Sequence, residues 1–222
     1  MQIVLRPGTA APLPVFLLSE GKPKQLADGR FIEGDNVAAQ YDLGIIYARG
    51  KKNPRDVGGS IKQNLRLATD WFFRAAANAH GEAAFYLGNL YASGSIDLKQ
   101  DYGLALKWYR KADALGNIDA LNNLGFLHDE GLGTRRDRAK AREYYTQGAE
   151  AGNAGAQMNL SAYYFEGLGG LRRDLAKALD WAIKADNQGE PGAAEKVTAI
   201  TKIMKRGKNN FRYMTPSNKR SC

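Results

Sequence analysis

The strongest constraint on this chain is an internal repeat in its sequence. The pair Leu-Gly occurs at residues 43–44, 87–88 and 124–125, and Leu160-Ser161 is an altered fourth copy. Four aromatic residues recur at intervals of 37, 36 and 37 residues: Trp71, Trp108, Tyr144 and Trp181. This spacing predicts a row of similar units, each of which buries its apolar face against its neighbours.

Each unit is predicted to be two helices. In the third unit Leu121, Leu124 and Leu127 recur at helical spacing. An Asn or Asp lies seven residues before each repeated aromatic residue, where it can cap the second helix: Asn64, Asp101, Asp137 and Asp174. Glycines are predicted to end the first helices at Gly50, Gly94, Gly131 and Gly167, and the second helices at Gly81, Gly116, Gly152 and Gly189. Small residues within the first helices predict close approach to alanines of the second: Gly44, Gly88, Gly125 and Ser161 facing Ala105, Ala141 and Ala178.

This pattern resembles the Sel-one-like repeat (SLR) family, a relative of the tetratricopeptide repeats (TPR). The resemblance rests on "AFYLGNLYASG", "ALNNLGFLHDEGLG" and "AQMNLSAYYFEGLGG" and on the second-helix segments that follow them, and it covers about residues 36–190. It implies an all-α fold, a right-handed α-solenoid of four helix-turn-helix SLR/TPR-like repeats with a C-terminal capping helix. The expected bounds are about 36–81, 82–116, 119–152 and 155–189 for the repeats and 191–206 for the capping helix.

The remaining segments do not follow the repeat. Residues 1–35 are expected to form a partly irregular N-terminal extension, and residues 207–222 a basic flexible tail. The first repeat contains seven additional residues, in "KKNPRDVGGSIKQ", where we expect a longer exposed loop. No apolar run is long enough for a transmembrane helix. Pro12 and Pro14 interrupt the N-terminal apolar stretch, so we expect a cytoplasmic protein, with export by a specialised route left open.

The sequence "HDEG" at residues 128–131 raises the question of a catalytic or metal centre. In the repeat alignment His128 occupies the position of three tyrosines, Tyr47, Tyr91 and Tyr164. We therefore predict that His128 is a packed aromatic substitute with a hydrogen-bonded nitrogen, and we expect no metal site. Cys222 is the lone cysteine, which excludes an internal disulfide and a four-thiolate zinc site.

Enzymatic signatures are not found in the sequence. Neither a G-x-S-x-G elbow nor a G-x-x-x-x-G-K-[ST] loop occurs. A hydrolase activity has been proposed for cysteine-rich relatives that carry paired cysteines in each repeat. This chain has no such pairs. We expect no catalytic residues and no cofactor.

A binding site is the stronger hypothesis. The resemblance implies that the first helices line a concave groove, where an Asn just before the Leu-Gly pair binds ligand backbone. The groove positions before and after that pair give the candidate partner-binding residues: Asp42, Tyr86, Asn89, Asn123, Phe126 and Asn159. The alternative is that Asn123 and Asn159 bond only to local backbone groups. The groove lacks a Lys or Arg cluster, which argues against capture of a partner's C-terminal carboxylate.

Charge is concentrated at the C-terminus. Of the formal charge of +9, residues 196–222 carry +8, with no Asp or Glu. The candidate anion-binding residues are Lys205, Arg206, Lys208 and Arg212. A solvated end, a partner-docking arm, and contact with nucleic acid or an anionic membrane all remain open, and binding to nucleic acid would depend strongly on salt.

The leading hypothesis is a non-enzymatic adaptor or scaffold that binds a protein or peptide partner in the concave groove. The resemblance implies roles in bacterial secretion, host interaction, toxin neutralisation or signalling, without choosing among them. The alternative is a nucleic-acid-binding or anionic-surface-binding protein that uses the basic tail.

Overall fold

The computed structural model describes residues 24–25, 31–32, 36–50, 62–95 and 98–213, with side chains from residue 36 to residue 206. Within these ranges the chain forms nine α-helices and one two-residue antiparallel strand pair, in which Lys24 pairs with Ile32 and Gln25 with Phe31. The elements are β1 (Lys24–Gln25), β2 (Phe31–Ile32), α1 (Val37–Arg49), α2 (Leu65–Ala77), α3 (Gly81–Ser93), α4 (Tyr102–Ala114), α5 (Asp119–Glu130), α6 (Arg138–Glu150), α7 (Ala154–Glu166), α8 (Leu175–Asp186) and α9 (Ala193–Tyr213).

The described residues have the all-α repeat fold that the sequence predicts. The chain divides into two compact units, residues 1–120 and residues 121–222. In the first unit α1 packs on α2, α2 on α3, and α3 on α4; in the second, α6 packs on α7, α7 on α8, and α8 on α9. Most of residues 1–35 and the long loop of the first repeat, residues 51–61, lie outside the described residues.

The predicted caps of the second helices are confirmed. The side-chain oxygen of each cap accepts a bond of 2.9–3.0 Å from the backbone N–H three residues later, at Asn64, Asp101, Asp137 and Asp174. The backbone N–H of each of these cap residues donates to a backbone carbonyl of the preceding first helix at 2.8–2.9 Å. The acceptors are Tyr47, Tyr91, His128 and Tyr164. The turn between the two helices of a repeat is therefore held by its cap from both sides.

One predicted helix end is wrong. Gly116, Gly152 and Gly189 follow second helices with positive φ, as expected, but Gly81 is the first residue of α3. Ala79, with φ of 62°, takes the left-handed position after α2, and it lies 37 residues before Gly116. The glycine at 81 misled the assignment because it lies two residues from the place where the sister repeats carry theirs.

The small residues of the first helices approach the second helices closely, as predicted, but at the three glycines the nearest atoms belong to aromatic rings. A Cβ built at Gly44 or Gly88 would collide with the ring of Phe72 or Tyr109, and one at Gly125 would lie 2.5 Å from Tyr145. In the fourth repeat the predicted contact with an alanine is confirmed, since the Ser161 hydroxyl donates to the Ala178 carbonyl at 2.7 Å. Ala182 occupies the ring position in that repeat. A bulkier residue on the first helix thus accompanies a smaller one on the second.

The last helix is longer than predicted. α9 begins at Ala193 and continues to Tyr213, seven residues past the expected end at 206. Residues 207–213 contain no proline, and Pro216 is the next one along the chain. A single interior glycine, Gly207, weakens a helix without ending it, which is why the basic segment begins helical.

Candidate functional site

His128 is a structural residue on α5. Its side chain is 6% exposed and stacks on Tyr144 of α6, with ring centroids 5.5 Å apart. Its backbone carbonyl accepts from the Asp137 N–H, as the tyrosines at the equivalent position do for their caps. The structure thus places His128 in the aromatic role predicted from the alignment.

His80 has a different structural role, which the sequence did not reveal. Its Nδ1 accepts from the Ala83 N–H at 3.2 Å, so it caps the N-terminus of α3. Asn36, Asn117 and Asn153 form the same bond for the other first helices, at 2.7–3.1 Å. The His80 ring also stacks on Tyr41 at 4.6 Å. Among the residues that the structure describes, no group of three or more His, Cys, Asp or Glu could hold a metal ion.

In the first unit, the predicted site residues Tyr86 and Asp42 both lie near Tyr41. Tyr86 stacks on Phe72 at 5.2 Å and meets Tyr41 edge-on at 5.9 Å. Asp42 is exposed beside them on α1. The pKa of Tyr41 is raised to about 12, chiefly by burial and in addition by the neighbouring Tyr86, Glu82 and Asp42. Tyr86 is therefore a packed residue with a partly accessible ring, while Asp42 is free to meet solvent.

Asn89 forms a hydrogen bond within its own repeat. Its Oδ1 accepts a bond of 2.7 Å from the Tyr109 hydroxyl on α4. Tyr109 is the ring that fills the space at Gly88. Asn89 therefore fixes the ring that joins the two helices of the second repeat, and a partner would have to share its amide.

In the second unit the predicted residues lie on α5 and α7. Phe126 is 49% exposed. Asn123 is half-buried on the same helix, one turn before Phe126. The Asn159 Nδ2 donates to the Asn122 Oδ1 at 2.8 Å, which joins the two first helices of this unit. The structure thus brings amides and an exposed ring together here, although Asn122 was not predicted.

Side chains are described for two of the four predicted anion-binding residues of α9. Lys205 and Arg206 are exposed, and with Thr198, Thr201 and Lys202 they border an open cavity of about 420 Å³. Lys208 and Arg212 lie within the helical span of α9, and their side chains lie outside the described residues.

A recurrent side-chain bond escaped the sequence reasoning. The residue just before each second-helix cap donates a side-chain N–H to a backbone carbonyl near the end of the first helix, at 2.6–3.0 Å. The donors are Gln63, Gln100, Arg136 and Arg173, and the acceptors are Ala48, Ala92, Asp129 and Phe165. These bonds satisfy carbonyls that a helix end leaves without partners. The four donors occupy the same position in each repeat, and this recurrence was visible in the sequence.

Comparison with known proteins gives a consistent picture. The Sel1 repeat family model matches residues 37–80, 81–117, 118–153 and 154–190. Cytochrome c oxidase assembly factor 7 of Xenopus tropicalis is 30% identical over 179 residues, which cover 76% of this chain and 77% of that protein. Chitin synthase regulator SKT5 of Saccharomyces cerevisiae is 30% identical over 165 residues, but the match spans only 23% of its length and 70% of this chain.

A solved structure agrees in fold. The crystal structure of a Sel1 repeat protein from Oxalobacter formigenes matches with a TM-score of 0.65 and 31% identity, over 74% of this chain and 61% of that one. No helix in the described part of this chain is both long and apolar enough to cross a membrane.

Proposed function

The chain belongs to the Sel1 repeat family, and on that premise we propose that it is an adaptor that binds a partner protein through the first helices of its repeats. Sel1 repeat proteins generally mediate protein–protein interactions, and they are typically scaffolds without enzymatic activity. Relatives named as an assembly factor and as a regulator support a role exerted through other proteins.

The observation that carries the proposal is the exposed ring of Phe126. Large apolar side chains of the second unit are otherwise mostly buried or half-buried. Phe126 is 49% exposed, and it lies on the same helix as Asn122 and Asn123. Aromatic side chains are enriched at the centres of protein interfaces, where a few residues carry most of the binding energy. Asn123 lies one turn before Phe126 on α5, and Asn159 lies on α7, where it is bonded to Asn122 of α5. Amides of this kind can donate to and accept from the backbone of a bound segment.

The test compares Phe126 with a matched exposed residue. A partner captured from native lysate on the immobilised chain is identified by mass spectrometry, purified, and titrated by calorimetry against each variant. Phe126→Ala is expected to raise Kd roughly tenfold, equivalent to about 1.4 kcal/mol. Ile183→Ala is the control, because Ile183 is also exposed in the second unit but lies on α8, a second helix.

The amides are tested separately. Asn123→Ala combined with Asn159→Ala should weaken binding while the helical circular dichroism signal stays unchanged. Equal losses for Phe126→Ala and Ile183→Ala, or an unchanged Kd for Phe126→Ala, would place the partner on another surface.

A second candidate function is binding of a nucleic acid by α9. It is favoured by the exposed cations Lys202, Lys205 and Arg206 beside two threonines. A labelled DNA duplex would then bind with an affinity that falls steeply with salt. Lys202→Ala combined with Lys205→Ala and Arg206→Ala should weaken that binding, and either a salt-independent affinity or an unaffected triple variant would reject this candidate.

A further inference from the structure

A second exposed ring lies on the second helices of the first unit. Phe73 of α2 is 55% exposed and meets Trp108 of α4 edge-on, with ring centroids 5.6 Å apart. Trp108 is half-buried, and the Lys111 ammonium lies 5.4 Å from the centre of its ring. The two rings form a continuous aromatic surface across two helices. Just over half of Phe73 remains exposed to solvent, and this exposed apolar surface would contribute free energy only if a partner covered it.

The two helices that carry this aromatic pair are rich in cations. α2 and α4 together carry five Lys and Arg side chains against two carboxylates, Asp70 and Asp113. The five cations are Arg66, Arg74, Lys107, Arg110 and Lys111. Within the described residues, none of the five forms an ion pair. We call Phe73, Trp108 and these five cations the aromatic–basic patch.

The second unit lacks an equivalent surface. At the position of Phe73 it carries Thr146 and Ile183. Its second helices, α6 and α8, hold five cations against four carboxylates. Two of those cations are paired, Lys140 with Glu143 at 2.8 Å and Arg138 with Asp129 at 3.2 Å. The excess of positive charge beside an exposed ring is therefore a property of the first unit and not of the repeat as such.

We propose that the aromatic–basic patch docks an acidic segment of a partner protein, with an apolar side chain of that segment packed against Phe73. Opposite charges across an interface steer association and select the partner, while a desolvated aromatic anchor supplies most of the affinity. Lys107 and Arg110 are exposed on α4 and can reach carboxylates of the bound segment. The patch lies on second helices, so it is distinct from the Phe126 surface and would give the adaptor a second partner site.

Single-stranded nucleic acid fits the patch less well. Proteins that bind it without sequence preference stack successive bases on successive rings in a basic groove. Of the two rings in this patch only Phe73 is more than half exposed, and Trp108 is in contact with Phe73 and with the Lys111 ammonium. A single free ring offers a place for one apolar side chain rather than for a run of bases.

The experiment uses the full chain and three labelled probes in fluorescence anisotropy. The first is a helical peptide of Glu and Leu, the second has Lys in place of Glu, and the third is an oligo-dT strand. Phe73→Ser removes the anchor, and Lys107→Glu with Arg110→Glu reverses charge at exposed positions. Ile183→Ser is the matched control, because Ile183 is exposed at the equivalent position of the fourth repeat.

The acidic peptide is expected to bind more tightly than the other two probes. Phe73→Ser and the double charge reversal should each weaken it roughly tenfold, while Ile183→Ser and Phe126→Ala leave it unchanged. Raising the salt from about 0.1 M to about 1 M shortens the Debye length from about 10 Å to about 3 Å and should reduce the affinity. Failure of the acidic peptide to bind, equal binding of the Lys peptide, or tighter binding of oligo-dT with the same variant profile would overturn the proposal.

Discussion

Gly125→Ala tests the contact that joins the two helices of the third repeat. A methyl group at this position would lie 2.5 Å from Tyr145 Cε1 and 2.6 Å from Cδ1, where ordinary contacts begin near 3.4 Å. Tyr145 is 2% exposed and packs edge-on against Tyr163 at 5.3 Å. The ring therefore has little room to move away from the added methyl group.

Two opposing effects determine the magnitude. Replacing a mid-helix glycine by alanine favours the helix by about 1 kcal/mol. Adding a methyl group to a filled core costs about 1–3 kcal/mol, and the confined ring places this site toward the upper end. We expect the free energy of unfolding to fall by about 1–2 kcal/mol.

The assay is urea unfolding followed by circular dichroism. Gly103→Ala is the control, because a Cβ there approaches only Asp101 Oδ1, at 3.2 Å, and no ring. It should destabilise the protein less than Gly125→Ala does, and it can stabilise α4 by at most about 1 kcal/mol. In a Tyr145→Leu background the penalty of Gly125→Ala should shrink, with a coupling energy of about 0.5–3 kcal/mol. Stabilisation by Gly125→Ala equal to that of the control, or the same effect in both backgrounds, would refute the packing argument.

Three further predictions follow from single contacts. Ser161→Ala removes the bond from the buried hydroxyl to the Ala178 carbonyl and should cost about 1 kcal/mol in urea unfolding, whereas a stability equal to wild type would show that the bond contributes nothing. Asp137→Ala removes the cap of α6 and should cost about 1 kcal/mol, while Asp137→Asn should cost much less; equal losses would point to charge rather than capping. The pKa of Tyr41 is raised from 10.0 to about 12, so its protonated form favours the folded state, and the stability it contributes below pH 10 should be lost as the pH rises toward 12. Tyr41→Phe should flatten that loss in unfolding measured across this range, and an unchanged pH profile would contradict the assignment.

Short-range signals in the sequence predict much of the fold. The caps at Asn64 and Asp137 act on amides three residues away, so local sequence suffices to find them. The replacement of a tyrosine by His128 was also visible, because the repeat supplies its own alignment. The same alignment would have identified His80 as a cap, had Gly81 not offered a more familiar helix end.

Contacts between helices were harder to predict. The bond from Asn159 to Asn122 depends on the register between α5 and α7, which residue types do not specify. The bonds from Gln100 and Arg136 reach back across a turn to a carbonyl, and such donors are common on any surface. The exposed fraction of Phe126 depends on what its neighbours leave uncovered, so its position after the Leu-Gly pair could suggest a binding residue but could not give that fraction.

The most direct test of the proposed function is photocrosslinking from the two exposed positions of the second unit. A photoreactive phenylalanine analogue replaces Phe126 in one variant and Ile183 in another, and each is irradiated with the purified partner. Binding through the first helices predicts a strong crosslink from position 126, competed by unlabelled wild-type chain, and little from position 183. A crosslink from position 183 alone, or equal yields from both, would contradict a partner site on the first helices.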